Sequence, residues 1–150
     1  MVTIPKATMF RDTIPRATTT RCPMSAITDR IEETDDFLPR FGADGLVTAI
    51  VEDADTAETL MLAHMNADAL DATLDTGVAT FWSRSRGELW VKGATSGNVL
   101  RVAEVLVDCD QDAVLVRARA EGDGVACHTG RRSCFYRSVD PATRSLTKQG

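Results

Sequence analysis

The sequence predicts a compact, β-rich single domain of the α+β class, mainly strands with one or two helices. Three observations carry this. From Gly45 onward, short apolar and β-branched segments, several of them alternating, are separated by turn-forming residues. One segment has a helix start and a helix stop in register, Asn66 and Gly77. At 150 residues the chain is long enough to bury one hydrophobic core without disulfide staples.

The elements follow in order. Residues 1–23 are rich in Thr and Arg, show no apolar periodicity and hold four basic residues against one acid. That leaves −8 on the rest of a chain whose formal charge is −5. The stretch is expected to be a disordered N-terminal extension, with a targeting peptide as the alternative. Met24 then opens MSAITDRIEETDDFLPRF, which reads like an ordinary protein start, so the domain is expected over 24–140. Leu46–Glu52 predicts a strand, Asp53-Ala54-Asp55 a turn, and Thr59–Met65 a second, buried strand. Asn66 caps a helix expected over Ala67–Leu74, which Gly77 stops. Val78–Ser83 and Glu88–Lys92 predict strands joined by the polar turn Arg84–Gly87. Val99–Asp108 and Ala113–Ala120 have the alternation and β-branched content of strands. Gly122-Asp123-Gly124 is a turn, and 141–150 is a polar C-terminal tail expected to fray.

Composition narrows the function classes. Hydrophobic content of 43% and charged content of 26% are ordinary for a soluble globular protein. There is no apolar run of about 18 residues, so no membrane association is expected. A formal charge of −5 argues against a nucleic-acid partner, whose binding would rest on excess Lys and Arg. It leaves room for a local basic pocket that takes a phosphorylated small molecule. The four cysteines are too sparse for a disulfide scaffold and follow no secretory signal, which points to a reduced, cytoplasmic setting. Cys109, Cys127 and Cys134 fall within one short window, whereas Cys22 stands far away and is treated separately.

Two clusters carry chemistry. If the strand that ends in VLVDCDQD continues through the acids, Asp108, Asp110 and Asp112 share one face and Cys109 the other. Three converging carboxylates are hard ligands suited to Mg²⁺ or Ca²⁺. A calcium loop is excluded, because Ala113 stands where its glycine belongs and no glutamate falls in register. A solvated acidic strand end is the alternative. Cys109 is a soft ligand whose natural partners are Cys127 and Cys134. The spacing C-x17-C-x6-C lacks the paired knuckles of structural zinc sites. Three thiolates with an open position suit a catalytic zinc, which acidifies a water. Three unrelated buried cysteines are the other reading, and Cys22 as a fourth ligand would make the site structural. His128, beside Cys127, is a candidate general base or a group that orients a ligand. His64, in an apolar segment, reads as structural.

Basic residues gather at FWSRSR, with Trp90, Lys92, Thr95 and Ser96 nearby, and at TGRRSC, with Tyr136 and Arg137. Such clusters suit phosphate binding, and surface salt bridges are the alternative.

Together, L62-A-H-M-N66, F81-W-S-R-S-R86, L89-W-V-K-G-A-T-S-G-N98, D108-C-D-Q-D112 and A126-C-H-T-G-R-R-S-C-F-Y-R137 resemble the phosphoribosyl-AMP cyclohydrolase family of histidine biosynthesis. The resemblance spans roughly Asp44 to Arg137. It implies a zinc- and magnesium-dependent hydrolase in which water opens the N1–C6 bond of the adenine ring of 1-(5-phosphoribosyl)-AMP, yielding the formimino-carboxamide ribonucleotide. Carried over position by position, it implies Mg²⁺ on Asp108, Asp110 and Asp112. Zn²⁺ would sit on Cys127 and Cys134 with Cys109 from the partner subunit, in an intertwined homodimer. His128 becomes the candidate base. Arg84, Arg86, Lys92, Arg131 and Arg132 become candidates for the phosphates, with Thr95 and Ser96 beside them, and Trp82 or Trp90 for stacking on the purine. Two departures stand out: His64 occupies a position where the family pattern favours an aromatic, and residues 1–23 have no recognisable counterpart. Two other classes compete with this reading. A non-catalytic zinc-stabilised binding module requires a closed metal site, and a thiol redox sensor requires a disulfide between Cys127 and Cys134.

Overall fold

The computed structural model of the chain describes residues 31–149. The expected N-terminal extension, Cys22 and the domain start at Met24 lie outside the described residues. In chain order the elements are β1 (Val47–Asp53), β2 (Thr59–Met65), helix α1 (Ala67–Thr76), β3 (Thr80–Ser83), β4 (Glu88–Val91), β5 (Leu100–Val107), β6 (Ala113–Ala120), β7 (Arg137–Val139) and β8 (Leu146–Lys148).

Four of these strands form one sheet in the order β2-β1-β6-β5. Strand β1 pairs antiparallel with β2 and parallel with β6, and β5 pairs antiparallel with β6. The alternation in VTAIVED explains the layering: Val47, Ala49, Val51 and Asp53 are buried, and the residues between them turn to the opposite face. Val114, Val116 and Ala118 repeat this on β6. Leu60, Met65, Leu70, Phe81 and Leu100 complete the core.

Helix α1 lies over β2, β3 and β4 and covers the buried face of this assembly through Ala69, Leu70 and Thr73. Its ends follow the sequence signals. The Asn66 side chain accepts from the Ala69 N–H at 2.9 Å, and Gly77, at φ 66°, donates its N–H to the Thr73 carbonyl. The Thr73 hydroxyl accepts from the Thr80 N–H at 3.0 Å, which ties the helix to the start of β3.

The opposite face of the sheet has no covering layer among the described residues. Leu62, Ile50, Leu115 and Leu106 stand in one row across its four strands, because Ile50 is opposite both Leu62 and Leu115, and Leu115 is opposite Leu106. Beside this row Arg117 pairs with Glu104 at 2.8 Å and with Glu52 at 3.7 Å.

Three local expectations change. Strand β3 begins at Thr80, and Val78 makes only an isolated bridge to Arg101. Strand β5 stops at Val107, because the acidic segment is a turn. The tail does not simply fray: Leu146–Lys148 pairs with Arg137–Val139. Asp140 makes that reversal, its carboxylate accepting from the N–H groups of Ala142 (2.8 Å) and Thr143 (3.2 Å). Strands of three residues are too short for their alternation to be seen in sequence. None of the described helices is long and apolar enough to cross a membrane.

Asn66→Ala removes the cap of α1 and is expected to lower unfolding free energy by about 1 kcal/mol in urea titrations.

Candidate active site

The acidic segment is the five-residue connection of the β5–β6 hairpin, not a continued strand. Asp108 closes it: its N–H donates to the Ala113 carbonyl at 3.2 Å and its carboxylate accepts from the Ala113 N–H at 3.0 Å. Gln111 adopts a left-handed conformation, φ 58°. Folding of the turn, not strand alternation, brings the acids together, and carboxylate oxygens of Asp108, Asp110 and Asp112 all lie within 4.8 Å of one another. The Cys109 thiol is exposed and is not part of that group. The charge of Asp110, with the hydrogen bond and charge of Asp108, holds the Asp112 carboxyl above its ordinary range, and Arg40 only partly offsets them. Arg40 pairs with Asp110 at 3.0 Å. Three hard donors under mutual repulsion fit a small divalent cation.

Gln111 also straps the preceding chain to this turn. Its side chain, 4% exposed, accepts from the Leu38 N–H at 2.7 Å and donates to the Asp36 carbonyl at 3.0 Å. Its own carbonyl accepts from the Arg40 N–H at 2.7 Å.

Cys127 and Cys134 bracket a loop closed at its neck. Ala126 donates to the Arg132 carbonyl and Cys127 to the Arg131 carbonyl, each at 3.0 Å, with Gly130 at φ 79° making the reversal. The loop is then fixed to the start of β2, where Cys134 N–H donates to the Leu60 carbonyl and Ser133 Oγ to the Thr59 carbonyl, both at 2.7 Å. Cys127 Sγ lies 3.0 Å from Thr129 Oγ1, and each of the two thiols shifts the titration of the other. Burial pushes the Cys127 thiol up, but hydrogen bonds from Thr129 and Cys134 and the charge of Arg131 outweigh it and leave this thiol below its ordinary value. Partial burial, reinforced by the neighbouring Cys127, pushes the Cys134 thiol up to about 11. Two adjacent soft donors suit zinc and leave ligand positions open.

The acid turn and the cysteine loop sit at opposite ends of the sheet. Ala113 lies opposite Thr48 at the start of β1, whereas the cysteine loop is attached through Leu60 and Arg132 near Asp53 at its end. Five residue steps of strand separate these ends, roughly 17 Å. Among the described residues, Cys109 therefore does not converge with Cys127 and Cys134 of its own chain.

A cleft of about 660 Å³ opens beside Cys127. It gathers residues from several of the predicted motifs: Arg86, Trp90, Lys92, Thr95, Ser96 and His128 all line it. Cross-strand pairing puts Phe81 opposite Trp90, with ring centroids 5.6 Å apart, so Trp90 stands on a packed support. Lys92 is 7% exposed, and no carboxylate of the described residues lies within ion-pair distance of it. The loop 93–98 that carries Thr95 and Ser96 needs its first glycine. A Cβ on Gly93, at φ 83°, would fall 2.3 Å from the Asn98 backbone. Asn98 is buried and accepts from the Asp123 N–H at 2.8 Å, which joins this loop to the opposite wall.

The remaining predicted residues lie elsewhere. Trp82, opposite Leu89, and Arg84, in the exposed β3–β4 turn, do not line the cleft. Arg131 lies over the Tyr136 ring, 4.3 Å from its centroid, beside a smaller hollow of about 300 Å³. Arg132 is held by Asp53 at 2.7 Å and Glu58 at 2.5 Å. Sequence reasoning assigned no site role to Asp53, Glu58, Gln111, Arg40 or Asn98. Each acts through partners distant in sequence, and only Asp53, as a turn residue, left a local trace.

A family model described as phosphoribosyl-AMP cyclohydrolase matches residues 61–136. A protein named phosphoribosyl-AMP cyclohydrolase from Sphingopyxis alaskensis is 66% identical over 109 residues, covering 73% of this chain and 85% of the relative. Relatives of the same name from Brucella anthropi and Chelativorans sp. are 62% identical over 109 residues and 58% identical over 117. These cover 73% and 78% of this chain, and 77% and 84% of the relatives. With the acid turn, the thiol pair and the cleft all inside the shared region, the chain belongs to the phosphoribosyl-AMP cyclohydrolase family of enzymes.

Proposed function

We propose that this protein hydrolyses the N1–C6 bond of the adenine ring of 1-(5-phosphoribosyl)-AMP to give the formimino-carboxamide ribonucleotide, a step of histidine biosynthesis in the cytoplasm. The observation that carries this is the cleft in which Cys127 and His128 face Trp90, Arg86 and Lys92. A purine nucleotide with phosphate groups needs an aromatic surface, cations and a group that moves a proton, and all three stand there.

Cys127 and Cys134, with Cys109 of the partner subunit, would hold Zn²⁺, which supplies Lewis acidity to the hydrolysis when bound. His128 is exposed on the cleft wall next to Cys127, where its imidazole can take the proton of the attacking water. Trp90 offers its ring to the purine. Lys92 and Arg86 bind phosphate charge, with the Thr95 and Ser96 hydroxyls beside them. Lys92 is the stronger anchor, since Arg86 already pairs with Glu88 at 3.1 Å. Trp82, Arg84 and Arg132 stand outside this cleft. Asp108, Asp110 and Asp112 would hold Mg²⁺, and Arg40 occupies Asp110 in competition with it.

A homodimer is part of the reading. The separation of Cys109 from the thiol pair favours a site completed by a second copy. The uncovered row of Leu62, Ile50, Leu115 and Leu106 supplies an apolar surface for one.

Three measurements test it. Purified protein with 1-(5-phosphoribosyl)-AMP, Zn²⁺ and Mg²⁺ is expected to form the ring-opened product, followed by absorbance; no turnover with both metals confirmed bound overturns the assignment. Cys109→Ser and Cys134→Ser proteins, each inactive alone, are expected to regain up to roughly one quarter of parental activity after subunit exchange, because the mixed dimer keeps one complete zinc site. No recovery despite exchange would place all three thiols in one subunit. The third measurement concerns the acid turn. Because Asp112 is raised in the folded state, the unfolded chain releases that proton at lower pH, and the metal-free protein loses stability as pH rises through the Asp112 range. Metal-free Asp112→Asn is therefore expected to melt above the parent at neutral pH, with the gap shrinking at high salt and the parent's Mg²⁺-induced rise lost. Equal melting and an unchanged Mg²⁺ response would count against a carboxylate metal site.

A further inference from the structure

We infer that Arg132 is a positioning residue for the Cys127–Cys134 pair, acting through Asp53 and Glu58, and not a contact to a substrate phosphate. The inference rests on the proposed zinc site.

Two of the three guanidinium nitrogens of Arg132 are bound to carboxylates. Its Nη2 donates to Asp53 Oδ2 at 2.7 Å and its Nε to Glu58 Oε2 at 2.5 Å. Asp53 is 6% exposed, and its other oxygen already accepts from the Asp55 N–H (3.1 Å), the Thr56 N–H (2.9 Å) and the Thr56 hydroxyl (3.0 Å). Those bonds lock the carboxylate so that Oδ2 meets the guanidinium. Moving Arg132 onto a phosphate would leave a buried carboxylate without its cation, which is costly.

The backbone of the same residue holds the loop. The Arg132 carbonyl accepts from Ala126, the residue before Cys127. Ser133 and Cys134, the next two residues, are bonded to Thr59 and Leu60. Asp53 and Glu58 bracket the β1–β2 turn, so Arg132 references both thiols to the most buried strand of the sheet. A lysine at this position would keep the charge but could not span two carboxylates from one planar group.

The test uses full-length Arg132→Lys and Glu58→Gln, with folding checked by circular dichroism. Glu58 is exposed, so its variant keeps the test open if Arg132→Lys does not fold. Zinc affinity is read by competition with a chromophoric chelator, and site geometry by the thiolate charge-transfer bands of the Co²⁺-substituted protein. Arg132→Lys is expected to bind zinc 10–100-fold more weakly, roughly the loss seen when groups that orient metal ligands are removed. Glu58→Gln should shift affinity in the same direction by less. Both variants should alter the Co²⁺ bands, and at saturating zinc kcat should fall with KM little changed. Parental zinc affinity and Co²⁺ bands with a raised KM would make Arg132 a phosphate contact and overturn the inference, as would no change in any readout. A parent protein that binds no zinc would instead overturn the zinc reading itself, whatever the variants do.

Discussion

The parallel pairing of β1 with β6 is the constraint on which the site geometry depends. A parallel pair cannot be closed by a tight turn, so the chain between Asp53 and Ala113 must travel away and return. That excursion contains β2, α1, the β3–β4 hairpin and β5, and it supplies the core-covering layer and much of the cleft. The register of the pair, Thr48 with Ala113 through Asp53 with Ala118, then decides which loop belongs to which end. The acid turn is delivered at the start of β1 and the thiol loop at its end. A slip of one residue would reverse the faces of every side chain and bury the Arg117 ion-pair row in place of Val116.

Charge is distributed by the same frame. The protein is acidic overall, yet the cleft carries Lys92 with no acid of the described residues paired to it, in contrast to Arg132 and Arg119, which are bound to carboxylates. Identical residue types therefore do different work. Cations paired with buried or turn carboxylates hold loops in place, and the cation left facing a cavity remains available to an anion. Composition cannot separate these cases, because pairing is a property of packing.

Much of the fold was legible because its signals are local. The Asn66 and Gly77 caps, the alternation of VTAIVED and the β-branched AVLVRARA each act over a few residues, and the structure follows them closely. The site was legible as composition more than as geometry. Strand alternation was a wrong route to the convergence of Asp108, Asp110 and Asp112, which a turn achieves by bringing the chain back on itself. TGRRSC looked like one basic patch, but its two arginines part company: one lies over Tyr136 and the other reaches to Asp53 and Glu58. Asn98 and Gln111 were invisible as organisers because their partners lie 25 and more than 70 residues away.

Gln111 is a non-glycine residue in the left-handed region whose side chain, once buried, grips the backbone of residues 36 and 38. The acid turn is therefore assembled from two distant parts of the chain, and its shape reports on the segment before β1. For anyone editing the gene, this sets a boundary. A deletion or rigid fusion that reaches Asp36, Leu38 or Arg40 alters a carboxylate cluster roughly 70 residues further along the chain.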